Sequence, residues 1–383
     1  MTSTFPPDVG GAESYAAQLT AGLAAAGDRV SVFCDGSRIA HSVATRDTSL
    51  AGRSVIRARR YQERLARTDN VFWREMLFSP LAELATHAPA GIDLVHANSM
   101  ETAIMASQVA LELEVPLVAT LHEQWPERDP FGDGRSKLVY GRLPISCFVA
   151  PSEFYEQRIL RYGVDPGRVT LIPHGIAAPE PAPGARERVR AALGIHPECS
   201  LIVCLARIYE RKGLLDLIDA FARVHAQHPS SRLHIAGPVS SNEYAEQLKS
   251  LVAECGIQDR VHLEYDRPPE LVPDLLAAAD IYVQPSLAEG LGLATIEAMA
   301  VGLPTVTTDC TGLREITTHE IDSLVARTGD APDIARQLSR LLEDPPMRAR
   351  IAANAAQTHR RRFSLDAMVS ATRQVYAAAK NIG

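Results

Sequence analysis

The 383-residue sequence predicts an α/β protein built from two Rossmann-like, doubly wound domains, and three observations carry that expectation. The chain is longer than one hydrophobic core usually organises, so two domains of ordinary size are expected. Short apolar runs alternate with helical patterns along most of it, as in parallel sheets covered by helices on both faces. One stretch, AAPEPAPGA (177–185), is Pro- and Ala-rich and unsuited to regular structure, so it separates the two halves. The resulting division is residues 1–176, a linker over 177–190, residues 191–362 and a closing segment over 363–383.

The first domain opens on a short strand remnant, Met1 to Phe5, followed by Pro-Pro and the Gly10-Gly11 turn. A helix with Tyr15, Leu19 and Leu23 at helical spacing comes next, then a strand over Val30 to Phe33. Residues 50–70 are basic (Arg53, Arg57, Arg59, Arg60, Arg64, Arg67) and lead into VFWREMLFSPLAEL. That segment reads as an amphipathic helix packed through Trp73, Leu77 and Leu81, its charges forming a solvated face. The second reading is a segment that lines a ligand site or meets an anionic surface. Ile92 to Ser99 and Pro116 to Pro126 read as buried parallel strands whose polar C-terminal ends face a ligand, the usual place for binding in open α/β sheets. His122 closes the second of these. Cys147 to Ile176 gives another strand, a helix opened by the capping residue Ser152, and the exit strand LIP.

The second domain starts with a buried strand, Leu201 to Leu205, then Arg207, a short loop, Lys212-Gly213 and a helix. Strands follow at Arg232 to Pro238, Val261 to Asp266, Asp280 to Pro285 and Leu303 to Asp309. The most informative stretch is QPSLAEGLGLATIEAMAVGLP (284–304). Its strand stops at Pro285 and Ser286, a turn holds Gly290 and Gly292, and a helical pattern runs to Gly302 and Pro304. Glycines there let backbone approach a ligand, and the free N–H groups at the helix start favour an anion. Glu289 and Glu297 lie eight residues apart, roughly 12 Å along a helix at 1.5 Å per residue. That reach suits the two hydroxyl-bearing ends of an elongated ligand with phosphates between them, which is the layout of a sugar nucleotide. The spacing alone arises by chance in acid-rich chains, and the surrounding string is what gives it weight.

Composition excludes several classes. With 46% hydrophobic and 22% charged residues and a net charge of −7, the chain is an ordinary globular one with no basic signature for nucleic acid. Cys34, Cys147, Cys199, Cys204, Cys255 and Cys310 form no Cys-x-x-Cys pair and read as reduced core residues, neither a zinc site nor a disulfide framework. No signal peptide is present and no apolar run nears the roughly 18 residues of a membrane span, so a cytoplasmic location is expected. The oligomeric state is left open.

PSxxEGLGLATIEAMAxGLPTV, with its Glu-(seven residues)-Glu core, resembles the nucleotide-sugar signature of the retaining glycosyltransferases of family 4, the group 1 enzymes of GT-B fold. The resemblance spans nearly the whole chain and is strongest from 147 to 312, including the closing Pro173-His174-Gly175-Ile176 of the first domain. It implies two domains facing across a cleft, the N-terminal one taking the acceptor and the C-terminal one the donor, with the closing helix packed back on the first. It further implies that Arg207 and Lys212 hold the donor diphosphate, that Glu289 holds hexose hydroxyls and that Glu297 holds ribose hydroxyls. Growing leaving-group charge explains the two cations. Gly290, Leu291, Gly292 and Leu293 would line the donor, Asp266 and Arg267 would flank the base largely through backbone, and amides at Gly10 and Gly11 would approach the phosphate. His122 would contact the hexose, with Asn98, Glu123 and Trp125 on the acceptor side. No metal and no cofactor is implied, the nucleotide sugar being a substrate.

The chain departs from the family in two places. Members commonly have His-Asp where this chain has His122-Glu123, and they have a fuller first strand, so either the start codon lies further upstream or the strand is short. The implied activity is retaining transfer of a hexose from a UDP-sugar, preferred to a GDP-sugar, to a small soluble acceptor of the kind used in natural-product or thiol biosynthesis. A nucleotide-sugar epimerase of the same architecture, a transferase acting on a lipid-linked glycan and a silent sugar-nucleotide binder are the alternatives.

Overall fold

The computed structural model describes residues 1–2, 5, 11–35, 45–47, 53–58, 90–122 and 134–381. It divides into two compact units, Met1–Gly175 together with Leu365–Gly383, and Ile176–Ser364.

In the first unit, strand β1 (Val30–Asp35) pairs in parallel with β3 (Arg53–Ala58), and β2 (Thr45–Asp47) adds antiparallel to β3. Four further parallel strands stand in the order β4 (Val95–Ala97), β5 (Leu117–Thr120), β6 (Ile145–Ala150) and β7 (Val169–Leu171). Main chain at the start of the sequence joins the two groups: Thr2 N donates to Phe33 O at 3.0 Å, and Asn98 N donates to Met1 O at 2.9 Å. Met1 and Thr2, the start of the expected strand remnant, therefore lie between β1 and β4. Helix α1 (Gly11–Ala25) buries Tyr15, Leu19 and Leu23 against Met368, Val369 and Val375 of the closing helix (Leu365–Lys380).

The basic stretch after residue 50 begins with a strand, β3, because Val55 is fully buried beside β1 while Arg53 and Arg57 stand two positions to either side. A single buried position between arginines is too short a period to show in the sequence. Arg59, Arg60, Arg64, Arg67 and the helix expected around Trp73, Leu77 and Leu81 lie outside the described residues.

The second unit holds one six-stranded parallel sheet in the order β10-β9-β8-β11-β12-β13, with β8 at Ser200–Leu205, β9 at Ser231–Ala236, β10 at Val261–Glu264, β11 at Ile281–Gln284, β12 at Thr305–Thr308 and β13 at Leu324–Ala326. Its central strands are apolar on both faces. Ile202 and Cys204 of β8 pack under the helix Leu214–Gln227, while Leu201 and Val203 face Leu275, Leu276 and Ala298. The chain winds outward from β8 through β9 to β10, then returns to β11 and winds the other way. The reversal between β8 and β11 is the switch point at which open α/β sheets bind ligands, beyond the strands' carboxyl ends.

The linker drawn over 177–190 is shorter in the structure, since Ala185–Ala192 is a helix belonging to the second unit. Arg190, almost fully buried, donates to Asp280 Oδ2 at 3.0 Å and to Ala278 O at 3.1 Å, and Arg186 donates to Asp280 Oδ1 at 2.5 Å. Asp280 Oδ2 also accepts from Leu201 N at 2.7 Å, so the helix is locked onto the entries of β8 and β11. Its sequence, ARERVRAA, is held by buried charge more than by apolar area, which is why its pattern reads as solvated.

Candidate active site

The loops leaving β8 and β11 meet at the switch point, and their main chains fix each other. After β8, Glu210–Lys212 forms a 3-10 turn that ends on Gly213 at φ +62°. Leu287 N donates to Arg211 O at 2.9 Å, and a Cβ on Gly213 would stand 2.1 Å from Pro285 O. Only glycine fits both that φ and that approach. On the other side of the second loop, a Cβ on Gly312 would stand 2.7 Å from Glu289 O.

This docking places Lys212 Nζ in an ion pair with Glu289 Oε1, with 13% and 11% of the two side chains exposed. Ser286 Oγ donates to the same oxygen at 2.8 Å. Behind Ser286 the polar chain continues into the sheet: Gln284 Nε2 donates to Ser286 Oγ at 2.9 Å, and Tyr282 OH donates to Gln284 Oε1 at 2.6 Å. All three are buried. Arg207 is exposed, its guanidinium 5.1 Å from the Tyr209 ring centroid, and Lys212 Nζ lies 5.9 Å from the same ring. Arg207 and Lys212 thus gather around Tyr209, and the ion pair brings Glu289, 77 residues further along the chain, to Lys212.

Gly292, at φ +90°, opens the helix Leu293–Ala300, whose first turn carries no acidic residue and no side-chain cap. Thr295 N and Ile296 N donate to Gly292 O at 2.9 and 3.2 Å, which leaves the amides of Leu293 and Ala294 with no acceptor inside the helix, the groups that an anion at a helix start takes. Leu291 sits in an apolar cluster with Ile296, Leu313 and Phe363, so any contact it makes with a donor comes from its main chain. Leu293 packs at the edge of that cluster. Glu297 lies in the same helix, and burial pushes its carboxyl up to about 7. Together with Glu289 it helps raise the Tyr282 hydroxyl well above its ordinary range, after the larger effect of burial.

At the ends of β9 and β10, Asp266 is exposed. Arg267 donates to Glu264 Oε2 at 2.8 Å and to Leu271 O at 3.1 Å. His234 Nε2 reaches the same Glu264 oxygen at 2.7 Å, and burial lowers His234 to about 4, so the ring is neutral. His234, His262 and Glu264 bring their donor atoms within 4.8 Å of one another, but Arg267 already supplies the positive charge at that carboxylate.

In the first unit, His122 Nε2 lies 2.7 Å from Asn98 Oδ1, while Asn98 Nδ2 points to Ala12 O and Thr2 Oγ1 at 3.4 Å each. Burial drops His122 to about 3, so the neutral ring donates from Nε2 and leaves Nδ1 as an acceptor. Its carbonyl accepts from Tyr155 OH at 2.8 Å. Tyr15 and His174 complete the cluster, with ring centroids 4.7 and 4.9 Å from His122 and 4.3 Å from each other. Sequence reasoning missed Tyr15, Tyr155 and His174 as members of this group. The only signal was the place of His174 at the end of an exit strand. Gly11 opens α1, while Gly10, Glu123 and Trp125 lie outside the described residues. No helix among the described residues is long and apolar enough to cross a membrane.

Comparison with known proteins gives these two clusters a setting. The family model described as glycosyl transferases group 1 matches residues 185–358, and the one described as glycosyltransferase family 4 matches residues 9–178. A D-inositol 3-phosphate glycosyltransferase of Frankia alni is 29% identical over 370 residues, covering 91% of this chain and 89% of the relative. One of Pseudarthrobacter chlorophenolicus is 26% identical, covering 91% and 86%. Among solved structures, Anabaena Alr3699/HepE in complex with UDP and glucose superposes with a TM-score of 0.78 at 20% identity, covering 98% of each chain. Sucrose-phosphate synthase from Thermosynechococcus elongatus gives 0.77 at 24% identity, covering 98% and 95%. Those likenesses show the GT-B fold, two Rossmann-like domains with parallel sheets. With both halves matched, with relatives over 91% of its length, and with Lys212 and Glu289 paired at the switch point of its second sheet, the chain belongs to glycosyltransferase family 4 and is an enzyme that transfers a sugar from a nucleotide sugar.

Proposed function

We propose that the enzyme transfers a hexose from a UDP-sugar, with retention of anomeric configuration and without a metal ion, to a small phosphorylated polyol such as an inositol phosphate. The observation that carries the donor half is the convergence of Arg207, Lys212 and Glu289 at the switch point of the second sheet. Two cations there stabilise the diphosphate as it gains charge, the role a divalent ion fills in other transferases. Glu289 holds hexose hydroxyls, Glu297 holds the ribose, and the start of the helix Leu293–Ala300 faces the phosphates. As the bond from C1 to the diphosphate oxygen breaks, the acceptor oxygen bonds to C1 on the same face and passes its proton to that diphosphate oxygen. The acceptor half of the proposal is supported by the inositol phosphate relatives. His122, neutral and oriented by Asn98, positions the sugar.

The test is to incubate purified protein in EDTA with UDP-glucose, UDP-N-acetylglucosamine or GDP-mannose, with and without inositol 3-phosphate. Mass spectrometry finds the conjugate and proton NMR reads its linkage. An α-linked product from an α-linked UDP-sugar is expected. A β-linked product, or activity abolished by EDTA and restored by magnesium, refutes the mechanism. A conjugate formed only with another acceptor refutes the acceptor assignment alone.

A further inference from the structure

We infer that Tyr282, Gln284 and Ser286 form a positioning relay that saturates one oxygen of Glu289 and presents the other to the donor sugar. The observation is the direction of the chain. Gln284 Nε2 donates to Ser286 Oγ at 2.9 Å, so the Ser286 hydroxyl must spend its own hydrogen on Glu289 Oε1, at 2.8 Å. At the other end Tyr282 OH lies 2.6 Å from Gln284 Oε1 and 3.5 Å from Leu205 O; the shorter bond takes its hydrogen and leaves the amide nitrogen facing Ser286.

The three bonds of the relay therefore run in one direction, toward the carboxylate. With Lys212 as a second donor, Oε1 is fully occupied, while no hydrogen bond among the described residues reaches Oε2. The backbone is held as well, since Thr308 Oγ1 donates to Ser286 O at 2.5 Å.

Such a relay is a costly thing to bury without purpose. Gln284, Ser286 and Tyr282 are at most 1% exposed, and an apolar trio would fill the same strand without needing complete satisfaction. Its effect is to take rotational freedom from a carboxylate at the end of a flexible side chain, leaving one acceptor oxygen at a fixed place for sugar hydroxyls. The relay touches no substrate and acts through Glu289 alone. It predicts how an amide would sit in Glu289→Gln: Lys212 and Ser286 hold the amide oxygen, so the NH2 group faces the sugar and the acceptor becomes a donor.

This inference rests on the reading of Glu289 as the ligand for the hexose, and the experiment separates the two. Steady-state kinetics with UDP-sugar, UDP titration calorimetry and thermal unfolding are measured on Ser286→Ala, Ser286→Thr, Gln284→Met and Glu289→Gln. Losing one hydrogen bond to a charged group is expected to lower kcat roughly 10- to 100-fold in Ser286→Ala. UDP affinity should stay within about twofold, because Glu289 grips the sugar and not the nucleotide. Gln284→Met, which keeps the volume and leaves the loop untouched, should show a smaller loss of the same kind, and Ser286→Thr should restore most of kcat. Wild-type kcat in Ser286→Ala with an inactive Glu289→Gln overturns the relay and spares the reading of Glu289. Wild-type turnover in Glu289→Gln overturns that reading itself. Parallel loss of kcat, UDP affinity and melting temperature in Ser286→Ala, with Gln284→Met fully active, overturns the relay in favour of plain packing damage.

Discussion

The ion pair between Lys212 and Glu289 makes a prediction that separates stability from catalysis. Breaking one side of a fully buried pair costs about 3–5 kcal/mol. Here the side chains keep 13% and 11% exposure, and Ser286 continues to bond the carboxylate when the lysine is gone. Solvent screening and that remaining donor reduce the expectation to about 2 kcal/mol for Lys212→Met or Glu289→Gln alone. The double variant carries neither charge, so its loss of stability should fall short of the sum of the single losses by about 1 kcal/mol or more. Turnover should behave differently, falling about two to three orders of magnitude in all three, because the diphosphate cation or the hydroxyl ligand is missing in each. Urea unfolding of the donor-free enzyme gives the cycle, and initial rates with UDP-sugar give the activity. A coupling energy below about 0.5 kcal/mol would refute the claim that the loops are electrostatically matched. Recovery of turnover in the double variant would show that the pair is structural only.

Three further outcomes are expected. Arg207→Ala should lose about two to three orders of magnitude in kcat with little change in melting temperature, since its side chain is exposed; unchanged turnover would remove it from the diphosphate site. Glu297 titrates near 7 and should bind ribose hydroxyls as the anion, so donor affinity is full above that pH and lost as pH falls below it. Binding of UDP-glucose should weaken roughly tenfold between pH 8 and pH 6 by the ratio of ionised fractions, and Glu297→Gln should be flat across that range. Gly213→Ala should destabilise the protein by more than about 1 kcal/mol, because it strains a left-handed residue and drives a methyl into Pro285 O; a wild-type melting curve would contradict the tight approach of the two loops.

What the sequence could reveal followed from how local the determinant was. The strand, glycine turn and helix around Glu289 are contiguous, and each has its own period or breaker, so these elements were readable. The position of Arg207 and Lys212 just beyond β8 was readable because they follow a strongly apolar strand. The relay was not, since Tyr282 and Gln284 alternate along β11, Ser286 follows in the loop beyond it, and all three read as ordinary positions until their hydrogen bonds are seen. The cluster of Tyr15, His122, Tyr155 and His174 was hidden for a different reason: its members come from four segments whose proximity only the parallel order of β4 to β7 creates. The helix at Ala185–Ala192 was obscured because it is anchored by Arg186 and Arg190 on Asp280, and charges on a short helix look solvated from sequence alone.

The docking of the two loops at the switch point also bears on how the site comes into being. Lys212 and Glu289 are 77 residues apart, and the hydrogen bond between Arg211 and Leu287 exists only where β8 and β11 lie side by side. Pairing those strands closes a long segment that contains β9, β10 and their helices, a contact of large sequence separation whose entropy cost is met only once much of the sheet is assembled. The proposed donor site should therefore form late in folding. During refolding, UDP binding should appear with the final phase of structure formation, after helical signal has returned, which makes nucleotide affinity a reporter of the completed central sheet.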